Sequence, residues 1–254
     1  MSTTMALPAL KMTGKSYRAL TAMHARLLLR EPGAFAFLVL PTVLLAIFGD
    51  IPAFKTPQAD LGGRTVLDAY VPTIAAIVPL LLALTVLPGA MAMFREKNAL
   101  RRFSVTPVSP AAMLAALLAV IMVLAVLGIA AVIAVGSLVF HVAAPSSMGA
   151  VAGSFVLGST AVLALGLLVA AVAPTGGVAS GLGVPIMIVN FFFSGLYTPV
   201  AELPRLLQQI AGFVPFGAVV DAWAGEGRLW QHLLVLAGYT LVGGLAAAKL
   251  FRWE

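Results

Sequence analysis

The chain has 254 residues, of which 61% are hydrophobic and only 9% are charged, and its formal net charge is +6. A soluble protein of this length could not bury so much apolar surface, because a small domain keeps much of its surface in water. The absence of cysteine excludes disulfide scaffolds, thiol nucleophiles and thiolate metal sites. Composition therefore predicts a membrane protein, and we expect no nucleic-acid partner for its positive charge.

The first predicted element is a basic amphipathic helix over residues 16–30, which we expect to lie in the lipid headgroup layer. At about 100° per residue, basic side chains share one arc and apolar or aromatic side chains share the opposite arc. The basic arc consists of Lys15, Arg18, Arg26 and Arg30, and the apolar arc of Tyr17, Leu20, Leu27 and Leu28. The helix either anchors the chain to the membrane surface, or anchors it and also contacts a cytoplasmic partner.

A short stretch that overlaps the start of this helix fits a relaxed phosphate-loop pattern, since residues 9–16 read A-L-K-M-T-G-K-S. A functional loop of this kind needs a strand before it, a helix after it and a nucleotide-binding domain around it. Pro8 precedes the motif and a membrane span begins soon after it. We therefore interpret the match as coincidental and expect no nucleotide site, catalytic residue or cofactor in this chain.

Six apolar segments follow, each near the roughly 20 residues that a helix needs to cross a bilayer. They cover residues 34–48, 71–93, 111–139, 151–172, 178–197 and 229–250. We expect each to be helical, since lipid cannot satisfy open backbone groups, and the runs lack the alternation of a β-barrel. The predicted fold class is all-α integral membrane, with six transmembrane helices in one domain over residues 1–254.

The topology depends on a short turn over residues 174–177, where Pro174 and two glycines favour a reversal between spans four and five. With six spans, both termini lie on one side, and that side carries eleven Lys and Arg residues against four on the other. Cytoplasmic loops carry an excess of positive charge. We therefore predict that both termini and the loop over residues 94–110 are cytoplasmic.

The loop after span two is the most informative segment. Residues 95–103 can form a short helix that is both apolar and strongly basic, and Pro107 would end it. Its apolar positions are Ala99, Leu100 and Phe103, and its charged positions are Arg95, Glu96, Lys97, Arg101 and Arg102. From these residues alone, the loop either fixes topology through its charge or binds a partner.

Residues 199–224, after span five, are apolar but interrupted by Pro204, Pro215 and Gly217. The segment is too broken to cross a bilayer and too apolar for a freely solvated loop. It is either a cap on the outer side with no part in transport or part of an exit path.

Two motifs resemble those of a known family. The run R-E-K…L-R-R…T-P-V-S-P over residues 95–110 looks like the intracellular loop of ABC-2 type transporter permeases, roughly R-E-x-G-T-L-x-R-L…T-P-x-S-P, with Asn98-Ala99 at the usual Gly-Thr. The run S-G-L-Y-T-P-V…L-P…P-F…D-A over residues 194–222 resembles the family signature after span five. With Arg30-Glu31-Pro32 before span one, the resemblance covers nearly the whole chain, and it is closest to small permeases of daunorubicin-type resistance exporters.

The resemblance implies a transport subunit of the bacterial inner membrane. Such permeases work as dimers, with a second copy or a paralogue, and bind two copies of a separate ATPase that holds ATP and Mg²⁺. The loop after span two would be the coupling helix, and the segment after span five would form short re-entrant helices. The implied ATPase-coupling residues are Arg95, Glu96, Lys97, Leu100, Arg101, Arg102 and Phe103.

The predicted spans contain no charged residue in their cores, which disfavours an ion-coupled carrier. An intramembrane enzyme is also disfavoured, because the three histidines (His24, His141 and His232) are far apart and no carboxylate pair lies mid-span. Thr85 and Asn190 are the best polar candidates in the spans. By analogy with the family, the possible substrate path or dimer seam includes Asn190, Phe191, Phe192, Phe193 and Tyr197.

The leading hypothesis is a permease subunit of an ATP-driven exporter that moves a hydrophobic or amphipathic, drug-like compound. A lipid or a polysaccharide precursor is the alternative cargo.

Overall fold

The computed structural model describes residues 14–58, 63–96, 110–142, 148–197, 200, 203–225 and 228–250. Within these ranges the chain is helical, and six helices are long and apolar enough to cross a membrane. A surface helix, Gly14–Arg30, precedes them. The spans are Pro32–Asp50, Val66–Glu96 in three segments, Pro110–Leu138, Met148–Val172, Gly176–Phe193 and Leu229–Leu250. The predicted all-α membrane fold with six spans is confirmed.

Two span ends differ by more than three residues from their predicted positions, each for a local reason. Span two begins at Val66, five residues before the predicted start, because Thr65 and Asp68 form a capping box there. The Asp68 carboxylate accepts from the Thr65 backbone N–H at 2.9 Å, and the Thr65 hydroxyl accepts from the Asp68 N–H at 3.1 Å. Span five ends at Phe193 rather than at residue 197, because Gly195 takes a left-handed backbone conformation with φ of 76°.

Contacts made by glycines show the direction of neighbouring spans. Gly128 of span three lies beside Val78 of span two, and Gly136, eight residues later, lies beside Val71. Spans two and three are therefore antiparallel, as expected for consecutive crossings.

Spans four and five form a tight hairpin. Thr175 lies between them and caps the start of span five through its hydroxyl. Gly166 of span four and Gly183 of span five lie at similar distances from this turn, and both approach span two at one level. A Cβ atom on Gly166 would overlap the carbonyl oxygen of Ala83, and one on Gly183 would overlap that of Leu84. The predicted reversal is present, and it keeps the two ends of the described chain on the same side.

Span two is the core of the molecule, since 89% of its most apolar window is buried. It is not a continuous α-helix, because Leu82–Val86 forms a π-helical turn. This turn lies between Pro79 and Pro88, each of which lacks the N–H that an α-helix would use. The Thr85 hydroxyl donates to the Leu81 carbonyl, one turn back. The polar group predicted for span two is thus satisfied within its own helix.

Two short helices lie between spans five and six. They are Arg205–Ala211 and Pro215–Ala224, and they meet at 88°. We call them the bent pair. The second helix is buried among spans two, four, five and six, with Phe216 only 2% exposed. The first helix is largely exposed, including Leu206 at 68%. Two short helices thus lie where the sequence predicted them, and their bend fits either a broken span or a re-entrant loop, so the re-entrant arrangement stays a prediction.

Candidate functional site

The end of the molecule that carries the surface helix, which we call the basic end, brings together parts of spans two and four through Arg95. Its guanidinium Nη1 donates to the carbonyl oxygens of Ala170 and Ala173, both at 2.7 Å. Carbonyls at the end of a helix lack intrahelical donors, and a cation there also suits the helix dipole. Arg95 therefore fastens the last turn of span two to the end of span four.

The other predicted coupling residues follow Arg95 in the chain. Glu96 is the last helical residue of span two. The remaining five lie outside the described residues: Lys97, Leu100, Arg101, Arg102 and Phe103. Binding of an ATPase by these seven residues thus stays a prediction. The structure shows that the loop begins at the end of span two, which Arg95 bonds to span four.

The surface helix packs on the bundle through a stripe in which every fourth residue is buried: Leu20, His24 and Leu28. Leu27, which belongs to the predicted apolar arc, is 41% exposed and does not take part in this packing. His24 lies midway between Leu20 and Leu28 around the helix. A prediction of the buried face from apolar residues alone leaves this histidine out. Three basic side chains are exposed on the opposite side of the helix: Arg18, Arg26 and Arg30. The side chain of Lys15 is not among the described atoms.

His24 is fully buried and lies edge-on to Phe94, with 5.8 Å between ring centroids. Neither ring nitrogen has a hydrogen-bond partner among the described residues. Burial lowers the pKa of His24 below its ordinary value of 6.5, because the charged form would lose its hydration. The surface helix packs mainly on spans one and three, and it contacts the last turn of span two where His24 meets Phe94. We call the two bonds from Arg95 to span four, together with the His24–Phe94 contact beside them, the basic-end joint.

At the opposite end, Asn190 links span five to the bent pair. Its side-chain Nδ2 donates to the Ile186 carbonyl at 2.9 Å, and its Oδ1 accepts from the Phe216 backbone N–H at 3.3 Å. That N–H lies in the first turn of a helix, where it has no intrahelical acceptor. Asn190 is only 2% exposed. The side chain holds the bent pair in position, and a role along a substrate path stays a prediction.

The aromatic residues predicted beside Asn190 do not form one cluster. Phe191 packs edge-on against Phe216 of the bent pair, at 5.9 Å between centroids. Phe192 is 39% exposed and lies edge-on to Phe193 at 5.2 Å. Tyr197 lies beyond the end of span five and is 64% exposed.

Tyr197 belongs instead to a cavity of about 350 Å³ between spans one and two and the residues after span five. We call it the aromatic cavity. It is lined by Leu44, Phe48, Phe54, Tyr70, Ile74, Ile77, Leu196 and Tyr197. None of these residues is charged, and the Tyr70 hydroxyl donates weakly to the Leu196 carbonyl at 3.5 Å.

Three rings of this cavity contact one another. Phe54 and Tyr70 are stacked, with 18° between planes and 6.3 Å between centroids. Phe48 lies edge-on to both, at 5.5 Å from Phe54 and 6.3 Å from Tyr70. None of these three residues was among the residues predicted from the sequence. The available signal was Tyr70 near the end of a predicted span, since Tyr and Trp are enriched at membrane boundaries.

The described residues contain no group of three His, Asp or Glu side chains that could hold a metal ion. Comparison with known proteins adds a family. Residues 35–249 match the model of a family described as "ABC-2 family transporter protein". A search among curated proteins found no match. The matched region includes the loop after Arg95, the bent pair and all six spans except the first three residues of span one and the last residue of span six.

Proposed function

The chain belongs to the ABC-2 transporter family, and from this premise we propose that it is the permease of an ATP-driven exporter for hydrophobic or amphipathic compounds. A permease of this family is a multi-pass membrane subunit with a transport role, and an ABC-type ATPase is its general partner. In this proposal two ATPase copies hold ATP and Mg²⁺. The chain itself contributes the pathway.

The basic-end joint is the observation that carries the proposal. The loop over residues 97–109 leaves span two directly after Arg95, whose side chain is bonded to span four. A push on the loop would therefore act on spans two and four, the two most buried spans, with 89% and 61% of their windows covered. ATP binding can shift a transporter only through contacts that differ between its states. A loop attached to the core of the bundle is well placed to supply them.

The proposed orientation places the basic end in the cytoplasm of a bacterial cell, with both termini there and the bent pair in the outer leaflet. Support comes from the distribution of charge. The basic end carries the exposed Arg18, Arg26 and Arg30, and a cytoplasmic leaflet rich in anionic lipid attracts such a surface.

We propose that the working unit contains two permeases, either identical or paired. Spans one, five and six leave surfaces for such a partner, because only 22%, 17% and 17% of their windows are buried, and the family resemblance favours spans one and five. Their outward faces carry large apolar side chains such as Phe35, Ile47, Ile188 and Phe192. A second permease or lipid must cover these faces.

The central test is co-purification of the full chain with its ATPase from native membranes, followed by an ATPase assay and transport into inside-out vesicles. We expect the ATPase to co-elute at about equal stoichiometry. The double reversal Arg101→Glu/Arg102→Glu should reduce the ATPase recovered at least tenfold, because the loop would lose its basic surface. Vesicles with the complex should take up a hydrophobic dye only when ATP is supplied.

The matched control is Arg205→Glu/Arg228→Glu, which makes the same change of charge at exposed positions of the opposite end. This variant should bind the ATPase normally. Equal recovery of the ATPase with both double variants would show that the loop is not the coupling segment. A chain that elutes with no ATPase at all would overturn the exporter proposal.

A further inference from the structure

The aromatic cavity has the form of a small-molecule site rather than a packing defect. Its volume of about 350 Å³ lies within the range of ligand pockets, roughly 300–1,000 Å³. The cavity is partly open to the surroundings of the bundle, so it is a groove between spans rather than an enclosed void. A ligand could therefore reach it without unfolding any helix.

The walls of the cavity are built from stripes of two spans. Tyr70, Ile74 and Ile77 occupy successive turns of span two, and Leu44 and Phe48 occupy two turns of span one. At about 1.5 Å per residue, the stripe on span two runs roughly 10 Å along the helix. The cavity thus extends from the end of the bundle opposite the basic end along the apolar part of both spans.

The lining indicates the chemistry of the ligand. Four of the eight lining residues carry aromatic rings, and none is charged. Lys55 is adjacent to Phe54 in the chain but is not among the lining residues, and its ammonium lies over the Phe140 ring at 5.7 Å from the centroid. Aromatic rings favour offset-stacked and edge-to-face contacts with other rings. The arrangement of Phe48 across Phe54 and Tyr70 presents both ring edges and ring faces.

We propose that the aromatic cavity binds a flat, uncharged aromatic compound and is the site that holds the cargo before release. The role of the cavity in holding cargo rests on the exporter function proposed above. A linear acyl chain fits the site less well, since it gains nothing from ring geometry. The Tyr70 hydroxyl, held only by a 3.5 Å bond to Leu196, is the group that can turn toward an acceptor on the ligand.

The test uses the full chain in lipid nanodiscs and tritiated pyrene as the probe, with empty nanodiscs of the same lipid to subtract partitioning. We expect one saturable site per chain. Leu44→Trp should fill the cavity and weaken binding at least tenfold. The control Leu127→Trp places the same side chain on the exposed face of span three, where Leu127 is 58% exposed, and should leave binding unchanged.

A second variant separates ring chemistry from volume and from misfolding. Phe48→Leu keeps an apolar side chain but removes one ring, and it should weaken pyrene binding by about threefold to tenfold. Unchanged binding in Phe48→Leu, or competition by dodecane as strong as by unlabelled pyrene, would overturn the aromatic assignment in favour of an acyl-chain site. Binding that does not saturate, or is equal in Leu44→Trp and Leu127→Trp, would overturn the site itself.

Failure of the exporter proposal would give a result that differs from failure of the cavity proposal. Saturable pyrene binding without any co-purifying ATPase would remove the cargo role and leave a ligand site. A complex whose ATPase depends on Arg101 and Arg102, but whose pyrene binding does not saturate, would reject the cavity alone.

Discussion

Spans two and five are both strongly apolar, with mean hydropathies of 2.3 and 1.7, yet their surroundings are opposite. In span two 89% of the most apolar window is buried, and in span five only 17%. Hydropathy reports that a segment prefers lipid to water, but inside a membrane the neighbouring helix and the lipid are equally apolar. Apolarity alone therefore cannot tell a core helix from a peripheral one.

The difference comes from small residues on the neighbours of span two. Gly166 and Gly183 bring spans four and five against the carbonyls of its π-helical turn. Span five makes this contact along a narrow strip, on which Ala179, Gly183 and Asn190 are buried. In membranes, the association of helices depends on such close packing and on hydrogen bonds, because the hydrophobic effect does not favour a neighbouring helix over lipid.

The largest loss of stability should come from filling the space between spans two and five. Gly183→Val would push a side chain into the Leu84 carbonyl, and we expect a loss of about 3 kcal/mol of stability from overpacking. Gly181→Val is the control, because a Cβ there meets nothing within 4 Å. Thermal denaturation in mild detergent should show a lower midpoint for the first variant only. Equal midpoints would mean that spans two and five are not packed backbone to backbone.

A smaller effect is expected where span five holds the bent pair. Asn190→Leu removes the acceptor of the buried Phe216 N–H, and the cost should be about 1–2 kcal/mol. Val189→Ala, on the exposed face of the same helix at 48% exposure, should cost under about 0.5 kcal/mol. Limited proteolysis between spans five and six should become faster in Asn190→Leu alone. If the two variants are cleaved at one rate, Asn190 does not fix the bent pair.

The smallest effect concerns the last turn of span two, where His24 covers Phe94. Burial lowers the pKa of His24, so the undocked surface helix binds a proton more readily than the docked one. Docking should therefore be strongest above pH 6.5 and weaken as the pH falls through 6.5 toward the lowered pKa. Hydrogen exchange of the surface helix should increase at pH 5.5 relative to pH 7.5. His24→Phe, which cannot be protonated, should remove that difference, and a difference that persists would assign it to other groups.

Much of the fold was predictable from the sequence, because each crossing is a local property. An apolar run of sufficient length must be helical in lipid, whatever its neighbours are. The turn at Pro174, the break after span five and the bias of basic residues toward one end were likewise visible in short stretches. The basic loop and the signature after span five were enough to suggest the family that the match over residues 35–249 then showed.

The sequence by itself thus determined the membrane class, the six crossings and the family. The tertiary structure decided which span is central, that Arg95 bonds to span four, that His24 is the buried centre of the surface helix, and that Phe48, Phe54 and Tyr70 share a cavity with Tyr197. The physical reason is that these features join residues far apart in the chain. Lipid-facing and helix-facing side chains have the same composition, so only the contacts themselves distinguish them.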